Sequence, residues 1–148
     1  MKLSIAIGSD HAGYELKNEI MKDLKEKGFD IKDFGVNSPE SVDYPDQASL
    51  VAKAVASGEF NRGIVICGTG IGISISANKV KGIRAALCGD VFSARMSRAH
   101  NDANILALGA RVVGPGLALV IVHAFLGEEF LGGRHQRRID KMMALEEE

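Results

Sequence analysis

Short runs of β-branched and other apolar residues alternate along this chain with longer stretches whose apolar positions recur every three to four residues. That alternation is the mark of βαβ units around a parallel sheet. Residues 3–7 form the first strand pattern, closed by Gly8-Ser9-Asp10-His11. A helix is expected over 14–27, with Leu16, Ile20 and Leu24 on one face and Gly28 as its stop. Residues 29–34 alternate apolar with charged, which suits an edge strand, and 35–46 is the longest irregular segment. Loops of that length are usually functional or mobile. Asp46 is placed to cap a second helix over 47–57, with Leu50, Val51, Ala54 and Val55 inward and Gly58 ending it.

Residues 63–66 make a third strand. After it, Ile71, Ile73 and Ile75 alternate, a strand period, but the glycines before and Ser-Ala-Asn after favour a helix to about Lys79. A fourth strand over 83–88, an Asp90-capped helix to about His100 and a fifth strand over 105–108 complete the sheet. The helix expected over 117–126 is apolar nearly all round, which in a small domain points to a subunit interface. Gly132-Gly133 then precedes a basic helix from about Arg134 to Leu145. The expected fold is a single three-layer α/β/α, Rossmann-like domain spanning 1–148, with a five-stranded parallel sheet. Ligands of such sheets bind beyond the carboxyl ends of the strands. That rule gathers Asp10, His11, Cys67 to Gly72, and Asp90.

Composition narrows the partners. A length of 148 residues suits one domain, and 46% hydrophobic with 25% charged residues is ordinary for a soluble protein. A net charge of −1 gives no electrostatic reason to expect nucleic acid or an anionic membrane. Two cysteines outside any CxxC pair favour a reducing compartment. The apolar start is too short for a signal peptide, and the run over 117–126 is half of the roughly 20 residues a membrane span needs. A cytoplasmic location is the expectation.

The candidate chemistry centres on Cys67-Gly68-Thr69-Gly70-Ile71-Gly72 at the end of the third strand. Strand, glycine turn, then helix start leaves backbone N–H groups free to meet an anion. A thiol there can be a reactive group, or simply a small buried apolar residue. Asp10-His11 can exchange a proton with a hydroxyl or hold a phosphate, or Asp10 can merely cap the next helix. His100 can be an acid or only complement a helix C-terminus. Arg134 and Arg138 share a helical face and suit one phosphate, or form a solvated basic patch with Arg137. They are expected to converge with Asp10 and His11 on one rim.

Other motifs fail. GTGIGIS is not G-x-G-x-x-G and lacks a P-loop lysine, and Ile73 stands where a cysteine phosphatase needs arginine. The four histidines have no zinc-ligand spacing, and no metal or organic cofactor is expected. A thiolate beside oxyanion donors can move a proton α to a carbonyl. That is the logic of a metal-free aldose–ketose isomerase acting on a sugar phosphate.

Nearly the whole chain resembles the type B ribose-5-phosphate isomerases, in the family that includes galactose-6-phosphate and allose-6-phosphate isomerases. The likeness runs through SDHAGYELK at 9–17, SVDYPD at 41–46, ICGTGIGISISANK at 66–79, GIRAALC at 82–88, SRAHNDANILALGAR at 97–111 and GGRHQRRID at 132–140. The resemblance implies that Cys67 is the base moving a proton between C1 and C2. It gives Gly68, Thr69, Gly70, Ile71 and Gly72 to the anion hole, with Thr69 near the enediol oxygens. Asp10 and His100 would assist ring opening, Tyr44 would wall the sugar site, and Asn101 would bind a hydroxyl. His11, Arg111, Arg134 and Arg138 would hold the phosphate. It further implies homodimers or tetramers, with His100, Asn101 and Arg111 reaching the partner's active site. Some members use a glutamate a few residues on instead of the cysteine, but Ser74 to Ser76 carry no carboxylate here. Ribose 5-phosphate is the expected substrate, a six-carbon sugar phosphate the alternative. A non-catalytic sugar-phosphate binding module is the competing class.

Overall fold

A computed structural model of the chain describes residues 3–148. In chain order it contains β1 (Ser4–Ser9), a 3-10 turn (His11–Gly13), α1 (Tyr14–Glu26), β2 (Asp30–Asp33) and α2 (Tyr44–Ala56). Next come β3 (Arg62–Cys67), α3 (Ile71–Ala77), β4 (Ala85–Leu87), α4 (Val91–Ala99), β5 (Ile105–Gly109), α5 (Pro115–Gly127) and α6 (Arg134–Ala144). The five strands lie in the order β2-β1-β3-β5-β4, and every neighbouring pair is parallel.

The pleat sorts the central strands' side chains into two cores. Ile5, Ile7, Ile64, Ile66, Leu106 and Leu108 face α1, α4 and α5, where Leu16, Ile20, Leu24, Ala94, Ile121 and Phe125 meet them. Ala6, Val65, Cys67, Ile105 and Ala107 face α2 and α3, against Val51, Val55, Ile73 and Ala77. Both faces are thus covered, as the near-continuous apolar runs require. β2 is an edge strand, paired to β1 alone, and its burial alternates as its sequence does.

Two helix starts and the facing of one residue differ from the expectation. α2 starts at Tyr44, with Pro45 in its first turn, where the missing N–H costs no hydrogen bond. Asp46 therefore lies inside that first turn and Asp43 takes the N-cap place, without a side-chain capping bond. Leu50 faces solvent rather than the core. α5 likewise starts at its proline, Pro115; Ala118, Ile121, Val122 and Phe125 are buried while Leu117 and Val120 are exposed. Its all-round apolar pattern is thus half satisfied within the chain. The segment after the glycines is a helix, α3, with Ile73 buried between exposed Ile71 and Ile75. Among the described residues no helix is long and apolar enough to cross a membrane.

Lys17 is fully buried although it stands on α1. Its Nζ donates to both carboxylate oxygens of Asp33 at 2.8 Å and to the Val36 carbonyl, and it lies 5.5 Å from the centre of the Tyr14 ring. Asp33 Oδ1 also accepts from Gly35 N at 2.8 Å. One ammonium thus pins the end of β2 and the start of the long loop to α1. Removing one member of a buried pair strands the other. Lys17→Met should lower stability in urea unfolding by about 3 kcal/mol, and Lys17→Met with Asp33→Leu should recover much of that loss.

Candidate active site

The carboxyl edge of the sheet holds the first cluster. β3 delivers Cys67 to that edge, and the chain turns at once because Gly70 adopts a left-handed backbone, φ +80°. The turn brings Gly70 N to 3.2 Å from the Cys67 sulfur, which accepts its hydrogen bond. Thr69 Oγ1 accepts from Ile71 N at 3.2 Å, so the hydroxyl is held at the mouth of the turn. The N–H groups of Gly68 and Thr69 have no acceptor among the described residues. Together they form a short concave row of donors beside a sulfur.

An open cavity of about 500 Å³ lies over this turn, lined by Asp10, Tyr44, Cys67, Gly68, Thr69, Ile71, Gly72 and Ile75. Tyr44 reaches it from the first turn of α2 and packs its ring on Gly72, where a Cβ would stand 2.5 Å from Tyr44 Cζ. Asp10 caps the 3-10 turn by accepting from Gly13 N at 3.1 Å, and it also lines the cavity. His11 Nδ1 accepts from Val42 N at 3.2 Å, tying the long loop to the end of β1. The Arg111 guanidinium lies against Gly68 of its own chain, and Arg111 N donates to Gly68 O at 2.9 Å. Asp90 serves α4 as its N-cap, accepting from Ser93 N at 2.7 Å and Ser93 Oγ at 2.8 Å.

The remaining candidates stand elsewhere. α4 runs from the carboxyl end of β4 to the amino end of β5, so His100 and Asn101 close it at the opposite edge of the sheet. α6 starts beside them: Leu131 N donates to Ala99 O at 3.0 Å, and the rings of His100 and His135 stack with centroids 4.2 Å apart and planes 11° apart. Arg134 and Arg138 flank His135 on α6, and both are exposed. Asn101 lines a second cavity, of about 410 Å³, with Arg84, Met142 and Glu146. The convergence of Arg134 and Arg138 with Asp10 and His11 on one rim of one chain is therefore corrected. The physical reason is connectivity, since α6 follows no further strand and returns to the end of α4.

The second group is rigidly built. Buried Arg98 donates through NH1 to Asp102 Oδ1 and to the Ala103 carbonyl, each at 2.7 Å, and its guanidinium lies 6.0 Å from the Phe125 ring centre. Asp102 adopts φ +45° within the turn so gripped. Arg84 adds bonds to the Asn101 and Asp102 carbonyls. His135, which sequence reasoning passed over for the neighbouring arginines, is held below the usual imidazole pKa, first by burial and then by His100, Arg134 and Arg138. Its signal was position: one residue after Arg134, at a helix start that also carries two glycines. Lys17 was passed over too, because a lysine beside Leu16 reads as the polar rim of a helix.

With both clusters placed, the sheet and the thiol-bearing glycine turn define a Rossmann-like α/β protein with an open cavity at its carboxyl edge. The chain belongs to the ribose/galactose isomerase family, whose model matches residues 5–142. It is 54% identical over 143 residues to ribose-5-phosphate isomerase B of Escherichia coli, covering 97% of this chain and 96% of that one. It is 48% identical over 141 residues to a D-erythrulose-4-phosphate isomerase of Pectobacterium atrosepticum, covering 95% and 93%. Among solved structures, ribose-5-phosphate isomerase B of Clostridium thermocellum superposes with a TM-score of 0.97 at 61% identity, covering 98% of each chain. That of Mycoplasma genitalium, with bound ribulose-5-phosphate, gives 0.96 at 46% identity, covering 100% and 99%.

The two thiols are chemically unlike. Cys88 is buried on the α4 side, and that burial pushes its pKa up to about 11. Cys67 opens onto the cavity. Iodoacetamide near neutral pH should therefore modify Cys67 before Cys88, and a phosphorylated sugar should slow that modification, as read by peptide mass spectrometry.

Proposed function

We propose that this chain is a ribose-5-phosphate isomerase that interconverts ribose 5-phosphate and ribulose 5-phosphate through an enediolate. The observation that carries the reading is the Cys67 sulfur, fixed by Gly70 N–H beneath a cavity that Asp10, Tyr44 and the glycine turn enclose. The substrate follows from the relatives that carry this name across nearly their whole length. Two free, buried cysteines fit a reducing compartment such as the cytoplasm.

In this mechanism the ring opens first. Asp10 accepts the anomeric hydroxyl proton, the C1–O4 bond breaks toward O4, and His100 of a second copy protonates that oxygen. Cys67 then takes the proton from C2, and the electron pair forms the enediolate. The free N–H groups of Gly68 and Thr69 and the Thr69 hydroxyl stabilise its oxygens, where charge develops. The proton on O2 passes to O1, Cys67 returns its proton to C1, and the C2 carbonyl of the ketose results. Asn101 of the second copy binds a substrate hydroxyl. His11 and Arg111, with Arg134 and Arg138 of the second copy, hold the phosphate, each charged hydrogen bond contributing about 1.5–3 kcal/mol when desolvated.

A second copy is required because His100, Asn101, Arg134 and Arg138 stand at the sheet edge opposite Cys67. Exposed Leu117 and Val120 on α5, and Ile71 and Ile75 on α3, supply apolar surface for self-association. We therefore read the protein as a homodimer whose two sites each draw on both chains.

Cys67→Ala should lower kcat with ribose 5-phosphate by about 10²–10⁴ while substrate binding persists. Near-normal ketose formation by that variant would remove the base assignment and favour a binding module. Turnover of ribose 5-phosphate, allose 6-phosphate, galactose 6-phosphate and D-erythrulose 4-phosphate, ranked by kcat/KM, should put ribose 5-phosphate first. Co-refolding inactive Cys67→Ala with inactive His100→Gln should restore part of the activity, because a mixed dimer regains one intact site. Two chains that each carried a whole site would regain none.

A further inference from the structure

The half of the site at the amino edge contains a histidine to which the mechanism assigns no task. His135 is buried, lies ring to ring on His100 at 4.2 Å, and deviates from parallel by 11°. Among the described residues neither imidazole makes a side-chain hydrogen bond, so the stack is the contact that sets the plane of His100. Both partners are anchored from behind. His100 closes α4, its N–H bonded to Met96 O at 2.9 Å, on a turn that Arg98 grips. His135 sits in the first turn of α6, its N–H bonded to Gly132 O at 3.1 Å, on a linker that Leu131 fastens to Ala99. The Leu131 N–Ala99 O bond joins the two elements beside the stack.

We propose that His135 is a positioning residue for ring opening: its buried ring is the plate that aims His100 at the ring oxygen of the substrate. This inference rests on the isomerase reading and deepens it. In the step concerned, the C1–O4 bond breaks, its electron pair goes to O4, and O4 takes the proton from His100. The anomeric O1–H proton leaves for Asp10, and the C1 carbonyl forms. His135 neither gives nor takes a proton in that exchange. An acid misplaced by about 1 Å can lose on the order of 10²-fold in rate. A ring free to turn about its Cα–Cβ bond is misplaced by at least that much for most of its time. Burial and the charges of His100, Arg134 and Arg138 also disfavour a proton on His135, which leaves it a neutral plate near neutral pH.

The test uses the full-length protein and ribose 5-phosphate, with and without deuterium at C2. His135→Gln keeps length and polarity but removes the ring, whereas His135→Phe keeps a flat ring without titration. In the Gln variant kcat/KM should fall about 10-fold, and the primary isotope effect should shrink towards unity. Ring opening then limits the rate ahead of C2–H cleavage. His135→Phe should restore both values to near those of the wild type. Unchanged kcat/KM in His135→Gln would overturn the proposal. So would a fall with an undiminished isotope effect, which marks general damage to the site. A folded His135→Phe that behaves like His135→Gln would also overturn it. A wild-type protein that isomerises no sugar phosphate would instead overturn the isomerase reading itself.

Discussion

The fold of the site depends on two glycines that face each other across the end of the sheet. A Cβ on Gly70 would stand 2.5 Å from Leu87 Cδ1 and 2.8 Å from the Leu108 carbonyl carbon. One on Gly109 would stand 2.4 Å from the Thr69 carbonyl oxygen. The turn after β3 and the end of β5 are thus in backbone contact, a closeness that no other residue type allows. Everything at the carboxyl edge follows from it. The turn is tight enough to return Gly70 N–H to the Cys67 sulfur, α3 starts at once, and Gly72 is left bare for the Tyr44 ring.

Much of this was legible in the residues. Apolar runs ending in Gly-Ser-Asp-His, Cys-Gly-Thr-Gly and Cys-Gly-Asp mark strand ends, and the rule for parallel sheets places those ends on one edge. The helical reading of residues 71–77 came from the glycines and the polar tail, and it held against the two-residue period because only Ile73 of the three isoleucines is buried. What could not be read was side of approach. A segment after the last strand has no strand of its own to fix its edge, so Arg134 and Arg138 could be grouped by chemistry but not located. Lys17 escaped for a related reason. Its partners, Asp33 and Val36, are distant in sequence, and only the packed chain shows a helix-rim lysine turned inward. The start of α2 was missed because Asp46 is a good cap in isolation, whereas Pro45 is the better first-turn residue.

The separation of the two clusters has a cost and a use. On the isomerase reading, one chain carries Cys67, His11 and Arg111 on one edge and His100, Arg134 and Arg138 on the other. The amino-edge cluster is held by Arg98, Arg84 and the histidine stack within the one chain, which on the dimer reading means before assembly. Preorganisation of that kind lowers what assembly must spend on ordering side chains. The carboxyl-edge cavity, by contrast, is open, and its Tyr44 wall stands at the start of α2, directly after the loop that Lys17 and His11 fasten at either end.

That fastening decides how His11 can meet an anion. With Nδ1 occupied as the acceptor for Val42 N–H, a neutral ring carries its one proton on Nε2. The tautomer is chosen by the loop, not by the ligand. His11 then offers a phosphate direction without charge, one aimed N–H, and the countercharge has to come from guanidinium groups. One backbone N–H from the loop thus assigns the two imidazole nitrogens their separate duties.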